Sequence, residues 1–250
     1  LYCLENFELL NQLDVLMLFW SCVRMEICSK ELVKRCLDYF KNVFSLLSEK
    51  DVVTYLFSLA KLVERNGTLA KQDSIIKKHV EDVAIRVQNK ITEILSSSVN
   101  EQHITNVIWA VDRLELYDQD ILAKCEQVFK REAVCLNDTN FAIILNSFVH
   151  MNYVPEHIFE YFVQEFSVRQ KTLMPKTFTS ILRALFISRV GDLFQVMENS
   201  QQYIKRNLSN FSAQELVAIL LPLATLRDSS QLTKAILNTC QENLNKFRAD

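Results

Sequence analysis

The sequence predicts an all-α fold: an α-solenoid of about six stacked helical hairpins with a 37–38 residue period. Three observations predict it. The chain has 250 residues but only 2 Gly and 3 Pro, far fewer breakers than the turns of a β protein consume. One apolar pattern restarts at Val15, Val52, Ile104, Phe141, Phe178 and Leu216, in steps of 37, 52, 37, 37 and 38 residues. Within each restart the apolar residues keep helical spacing. A fixed period of this size is the signature of helical pairs that bury their faces against one another. A chain of this length accommodates six such units in one repeat domain, 1–250, with units starting near 11, 48, 100, 137, 174 and 212.

Leu1–Leu10 reads as the tail of an earlier helix or a cap. The six first helices follow, and their columns define them. Counting from the first position, the residue three on is apolar (Leu18, Tyr55, Val107, Ile144, Ile181, Ile219), as is the next (Phe19, Leu56, Ile108, Leu145, Leu182, Leu220). Seven on stand Cys22, Leu59, Val111, Phe148, Leu185 and Leu223. Offsets of 0, 3, 4 and 7 form one helical face, which is the buried one. Six on, the residue is small: Ser21, Ser58, Ala110, Ser147, Ala184, with Pro222 in the last unit. A small residue admits a neighbouring helix closely. Pro222 removes a backbone donor and predicts a kink there.

Each first helix has a start signal four residues before its first position: Asn11, Ser48, Asn100, Asn137, Met174 and Ser212. Five are good N-caps. The fifth unit has Pro175 in its first turn instead, where proline is tolerated. Second helices are less regular. Leu32, Ile121 and Ile158, and further on Phe40, Phe129 and Phe166, are their expected core anchors. Turns are expected at Val154-Pro155, Val190-Gly191-Asp192 and Asp228-Ser229-Ser230. The second unit carries 15 extra residues. The polar run Arg65-Asn66-Gly67-Thr68 predicts a lengthened loop near 63–78, followed by a longer second helix near Ser74 to Ile94.

Composition narrows the chemistry. The formal net charge is −2, whereas a free nucleic-acid binder is usually basic. Seven cysteines, none in a CxxC pair, read as reduced core thiols of a cytosolic, nuclear or organelle-interior protein. No apolar run approaches the ~18 residues of a membrane helix. The chain begins at Leu1, which leaves room for a targeting segment ahead of it. No phosphate loop, GxSxG, HExxH or paired-cysteine zinc motif occurs. The four histidines, His79, His103, His150 and His157, lack ligand spacing. The sequence therefore predicts no catalytic residues, no metal and no cofactor.

One face could carry a ligand. Five on from each first position stand Trp20, Phe57, Trp109, Asn146, Arg183 and Leu221; nine on stand Arg24, Lys61, Arg113, His150, Ile187 and Thr225. These offsets share a face distinct from the buried one. Aromatic faces beside cations suit single-stranded nucleic acid, whose bases stack on rings while phosphates meet Lys or Arg. The same pattern also suits plain packing, with aromatics between repeats and basic side chains laid over them. The pattern fades in the last two units.

At "ITNVIWAVDRL" (Ile104–Leu114), "DILAKCEQVF" (Asp120–Phe129) and "FAIILNSFVHMNYVPEHIFEYFVQEF" (Phe141–Phe166), the chain resembles the heptatricopeptide repeats. These occur in FAST-kinase-like and RAP-domain organellar proteins and are close kin of the octotricopeptide repeats. The resemblance rests on the period, the N-cap, the run Val107-Ile108-Trp109-Ala110 and the short turn, and spans nearly the whole chain. It implies a right-handed superhelix and a role in mitochondrial or plastid RNA metabolism. No RAP-like α/β segment follows, so the resemblance lends no support to nuclease activity.

The expectation is a non-catalytic, RNA-binding component of a mitochondrial ribosome or RNA-processing assembly in the matrix, with RNA and protein neighbours as partners and neither membrane nor small-molecule substrate. Its contacts would be Trp20, Arg24, Phe57, Lys61, Trp109, Arg113, Asn146, His150 and Arg183. The aromatics would stack, the cations meet phosphate, and Asn146 read a base edge. The alternative is a protein–protein interaction scaffold, favoured by the neutral charge and the apolar last unit.

Overall fold

The structure is a computed structural model that describes residues 5–27, 29–72, 74–96, 101–132, 136–226 and 231–242. Among them there is no strand, and twelve α-helices follow one another. They are α1 (Gln12–Met25), α2 (Lys30–Val43), α3 (Glu49–Gln72), α4 (Ser74–Ser96), α5 (Glu101–Arg113), α6 (Gln119–Glu132), α7 (Asp138–His150), α8 (Glu156–Arg169), α9 (Pro175–Ser188), α10 (Leu193–Arg206), α11 (Ala213–Thr225) and α12 (Gln231–Glu242). The chain forms two compact units, residues 1–134 and 135–250.

Each unit is two layers of helices. In the first, α1, α3 and α5 pack side by side, with α2, α4 and α6 side by side behind them. In the second, α7, α9 and α11 form one layer; α8 and α10 pack together, and α12 lies against α11. Odd helices touch odd helices because of the buried columns. The first position of every odd helix is buried, as are the residues seven on. At offsets three and four, only Leu18 and Leu220, in the first and last odd helices, are half-buried rather than buried. The small column behaves as close packing requires: Ser58, Ala110, Ser147, Ala184 and Pro222 are all buried. α11 continues through Pro222 to Thr225. The even helices contribute Phe40, Phe129, Ile121, Ile158 and Phe166 to the core, while Leu32 is half-buried.

The caps form as their residue types dictate. Asn11 and Ser212 complete reciprocal capping boxes with Asp14 and Glu215. Asn137 accepts from the Asn140 amide at 2.9 Å, and Ser48 accepts from Asp51 at 3.3 Å. Met174 caps nothing, and Pro175 opens α9 as expected. Asn100 lies outside the described residues.

The extra residues of the second hairpin do not make a loop. They lengthen both helices: α3 runs to Gln72, through the polar Arg65–Thr68 stretch, and α4 starts at Ser74. One internal glycine, Gly67, costs a helix about 1 kcal/mol relative to alanine, which does not end a helix that packs on α1, α4 and α5.

The turns hold a regularity with no glycine signal. Eleven residues after the first position, Glu26, Glu115, Asn152 and Arg189 adopt left-handed backbone, with φ of 63°, 57°, 53° and 58°. In the first, third and fourth hairpins the next amide reaches back to the last turn: Ile27 to Cys22, Leu116 to Val111 and Tyr153 to Phe148, each at 3.0 Å. These are Schellman-type ends, usually built on glycine. The one turn glycine described, Gly191, has φ 79°, and a side chain there would press on Val163 at 3.2 Å.

Polar groups pin the layers together. Arg169, at the end of α8, binds the Leu136 carbonyl at 2.6 Å, pairs with Glu165 at 2.8 Å and lies over the Phe141 ring. Tyr203 of α10 donates to the Leu173 carbonyl and stacks on Phe178 at 4.3 Å. In the first unit, Tyr55 of α3 and His79 of α4 share a buried hydrogen bond of 2.5 Å. Burial raises the Tyr55 phenol above its ordinary range. Burial also lowers His79 to about 4, overriding the upward pull of Asp82 and Asp38, while Lys41 and Arg86 push it further down. Both groups are therefore neutral near pH 7.

Two outcomes are expected. Glu115→Gly relieves left-handed strain and raises stability by about 0.5–1 kcal/mol in urea unfolding; a loss of stability would show that Glu115 makes compensating contacts. The unfolded chain protonates a histidine near pH 6.5 whereas folded His79 resists until about 4. Its contribution is thus complete above that window and declines as pH falls through it, by up to about 1.4 kcal/mol per pH unit. Urea midpoints measured between pH 7 and 5 should fall in the native chain and flatten in His79→Gln.

Candidate functional site

The offset-five and offset-nine columns meet in the first unit because α1, α3 and α5 lie side by side. Residues four apart stack along one helix face, so each aromatic sits beneath its own cation. Arg24 lies 4.9 Å from the Trp20 ring centre, and Lys61 6.0 Å from that of Phe57. Arg113 lies 5.8 Å from Trp109. Contacts also cross between hairpins. Phe57 and Trp109 have ring centres 5.1 Å apart at 44°, and Lys61 reaches over to lie 4.4 Å from the Trp109 ring. Trp20, Phe57 and Trp109 are all half-buried, so each is part packing and part surface.

Between α1 and α3 the surface opens into a groove of about 260 Å³, lined by Trp20, Val23, Arg24, Phe57, Ser58 and Lys61. That is smaller than the roughly 300–1,000 Å³ of a drug-sized pocket and suits one flat ring.

Its charge is nearly balanced. Glu64 pairs with Lys61 at 2.7 Å and with the Arg113 Nε at 3.2 Å, and the buried Asp112 lies 3.5 Å from the Arg113 Nη1. Glu64 was not visible as a site residue from the repeat columns. Its offset of twelve falls in or beyond the turn in other hairpins, and only the lengthened α3 keeps it helical and beside Lys61. Ser58 was legible only as a packing residue of the small column, and Val23 stood in no column.

In the second unit, Asn146 and His150 lie on α7 and Arg183 on α9. Asn146 donates to the Ala142 carbonyl at 2.7 Å and to the Ser180 hydroxyl of α9 at 2.9 Å. One amide proton is thus engaged within α7 and the other in joining two hairpins, which leaves Oδ1 as the edge that could meet a base. His150 and Arg183 are exposed.

Among the described residues no group of His, Cys, Asp or Glu could hold a metal ion, and no helix is long and apolar enough to cross a membrane. Cys22, Cys36 and Cys125 are buried and form no disulfide, and burial pushes the Cys125 thiol up to about 12. Cys3, Cys28 and Cys135 lie outside the described residues. No protein-family model matches the sequence, and no curated protein matches it either.

The two tryptophans should behave differently. Trp109 is held between Phe57, Lys61 and Arg113, whereas Trp20 borders the groove with Arg24 over it. Trp109→Ala is expected to cost about 2–3 kcal/mol and Trp20→Ala about 1 kcal/mol in chemical unfolding, scaled down from the loss of a fully buried aromatic. Equal costs would mean the ladder does not pack as a ladder.

Proposed function

We propose that this chain is a non-catalytic, RNA-binding α-solenoid that holds single-stranded or ribosomal RNA within a mitochondrial assembly. The observation that carries this reading is the groove at Trp20, Arg24, Phe57 and Lys61, where two half-buried rings, each with a cation over it, line one space of about 260 Å³. A base entering it would stack, and its phosphates would fall beside Arg24 and Lys61. The resemblance to heptatricopeptide repeats supplies the mitochondrial setting and the continuous superhelix.

The mechanism is binding and release, with Glu64 setting its strength. In the free protein Glu64 pairs with both Lys61 and Arg113, so phosphate must compete with a carboxylate for both cations. That keeps affinity for isolated RNA low and suits a subunit held also by protein neighbours. A protein-binding scaffold is the second reading, favoured by the same charge balance, since an apolar groove with compensated charges also fits a peptide side chain.

Binding of a mixed single-stranded RNA pool across a salt series separates them. The RNA reading expects salt-sensitive affinity, a loss of about tenfold or more in Trp20→Ala/Arg24→Ala, and several-fold tighter binding in Glu64→Gln. Absence of binding in Glu64→Gln at low salt would end the RNA reading and leave the scaffold.

A further inference from the structure

Lys61, Glu64, Arg113 and Asp112 stand in a line of alternating charge in the first unit. Lys61 Nζ and Glu64 Oε2 are 2.7 Å apart, Glu64 Oε1 and Arg113 Nε 3.2 Å, and Arg113 Nη1 and Asp112 Oδ2 3.5 Å. Glu64 thus gives one carboxylate oxygen to each of two cations. The two contacts are unequal. Lys61 donates a hydrogen bond to Oε2. The Arg113 Nε is buried and, among the described residues, makes no hydrogen bond, although Oε1 is within reach. The charges are close, but the Nε–H is not aligned on the oxygen.

Position separates the two cations as well. Lys61 lines the groove between α1 and α3, whereas Arg113 stands on α5, which packs against α3. Lys61 leans toward α5: its Nζ is 4.4 Å from the Trp109 ring centre and 6.0 Å from that of Phe57 on its own helix. Arg113 is held in place by the buried Asp112 and by the Trp109 ring beneath it. A guanidinium carries five N–H donors in a rigid fork, so Nη1 can keep Asp112 while Nε takes a further carboxylate.

We propose that Arg113 is a positioning residue that receives Glu64 when an RNA phosphate takes Lys61, so that it sets the affinity of the groove without touching the ligand. This rests on the RNA reading of the groove. Phosphate replaces Glu64 on Lys61, and the displaced carboxylate turns onto the Arg113 Nε, completing the hydrogen bond that Nε lacks. The exchange strands no charge and gives a buried donor its acceptor. Exposure permits it: the Lys61 and Glu64 side chains are each 36% exposed and Arg113 31%. Ion pairs at that exposure are weak enough to swap partners, whereas breaking a buried pair is strongly unfavourable.

Binding of the mixed single-stranded RNA pool to the full chain tests this. Arg113→Gln should weaken binding about two- to fivefold, the range an exposed ion pair supports, and Arg113→Lys should recover most of the loss. Salt dependence separates this role from a phosphate contact. Losing one phosphate contact lowers the slope of log affinity against log salt by about 0.7 on a single strand; Lys61→Gln should show that drop and Arg113→Gln should not. In the Glu64→Gln background, with no carboxylate to receive, adding Arg113→Gln should change affinity little. A lowered slope in Arg113→Gln, or an equal loss in both backgrounds, overturns the proposal and makes Arg113 a direct contact. Circular dichroism of every variant confirms folding. A second measurement uses no RNA. In Lys61→Met the carboxylate is free to settle on Arg113, so the Arg113 Nε–H resonance should exchange with water several-fold more slowly than in the native chain. An unchanged rate overturns the transfer even where RNA binds. A slowed rate in a protein whose Glu64→Gln variant binds no RNA places the failure in the reading of the groove, and the phosphate step falls with it.

Discussion

Everything in this molecule depends on odd helices lying close enough to bury one another's flanks. A single hairpin cannot hide the wide apolar face of its first helix behind its second helix alone. It needs a neighbour on each side, and the neighbour can approach because the column at offset six is small. Ser58, Ala110, Ala184 and Pro222 are buried at those approaches. Lengthening any of them would push two helices apart and open several contacts together, since interiors packed near crystal density do not stretch locally. The aromatic–cation ladder is a by-product of this closeness: Lys61 lies over Trp109 only because α3 and α5 are side by side.

Much of the fold was legible because repetition averages out local noise. One helical face of mixed apolar residues is weak evidence; six faces aligned on a common period are strong. The odd helices, their caps and the even-helix anchors follow from that alignment, and the helical character of the chain stands. What was illegible has a common cause, that the deciding signal lies outside the residue itself. Arg65–Thr68 carries the composition of a loop, but α3 continues through it because packing on three helices outweighs one glycine. The left-handed turn residues Glu26, Glu115, Asn152 and Arg189 are not glycines, so these helix ends, three of them back-bonded, are not announced by residue type.

The candidate site divides in the same way. The columns predicted which aromatics share a face with which cations, and the distances between Trp20 and Arg24 and between Trp109 and Arg113 follow from four-residue spacing alone. They did not predict Glu64, because its position beside Lys61 and Arg113 depends on the length of α3. Nor did they predict that Asn146 would spend its amide on Ser180, a partner 34 residues away. Columns report which face a residue occupies; they are silent on what a side chain finds there.

The Tyr55–His79 pair has a consequence for how the longest hairpin assembles. α3 and α4 are 24 and 23 residues long, and two long apolar stripes can mate in several alignments displaced by one turn, about 5.4 Å. Burying leucine against valine hardly distinguishes among them. A phenol and an imidazole buried together do, because a slip of one turn strands both without a partner, and each stranded group costs about 1–3 kcal/mol. The pair therefore acts as a vernier mark: it adds little to the cohesion of the two helices and much to the choice of where along their length they lock.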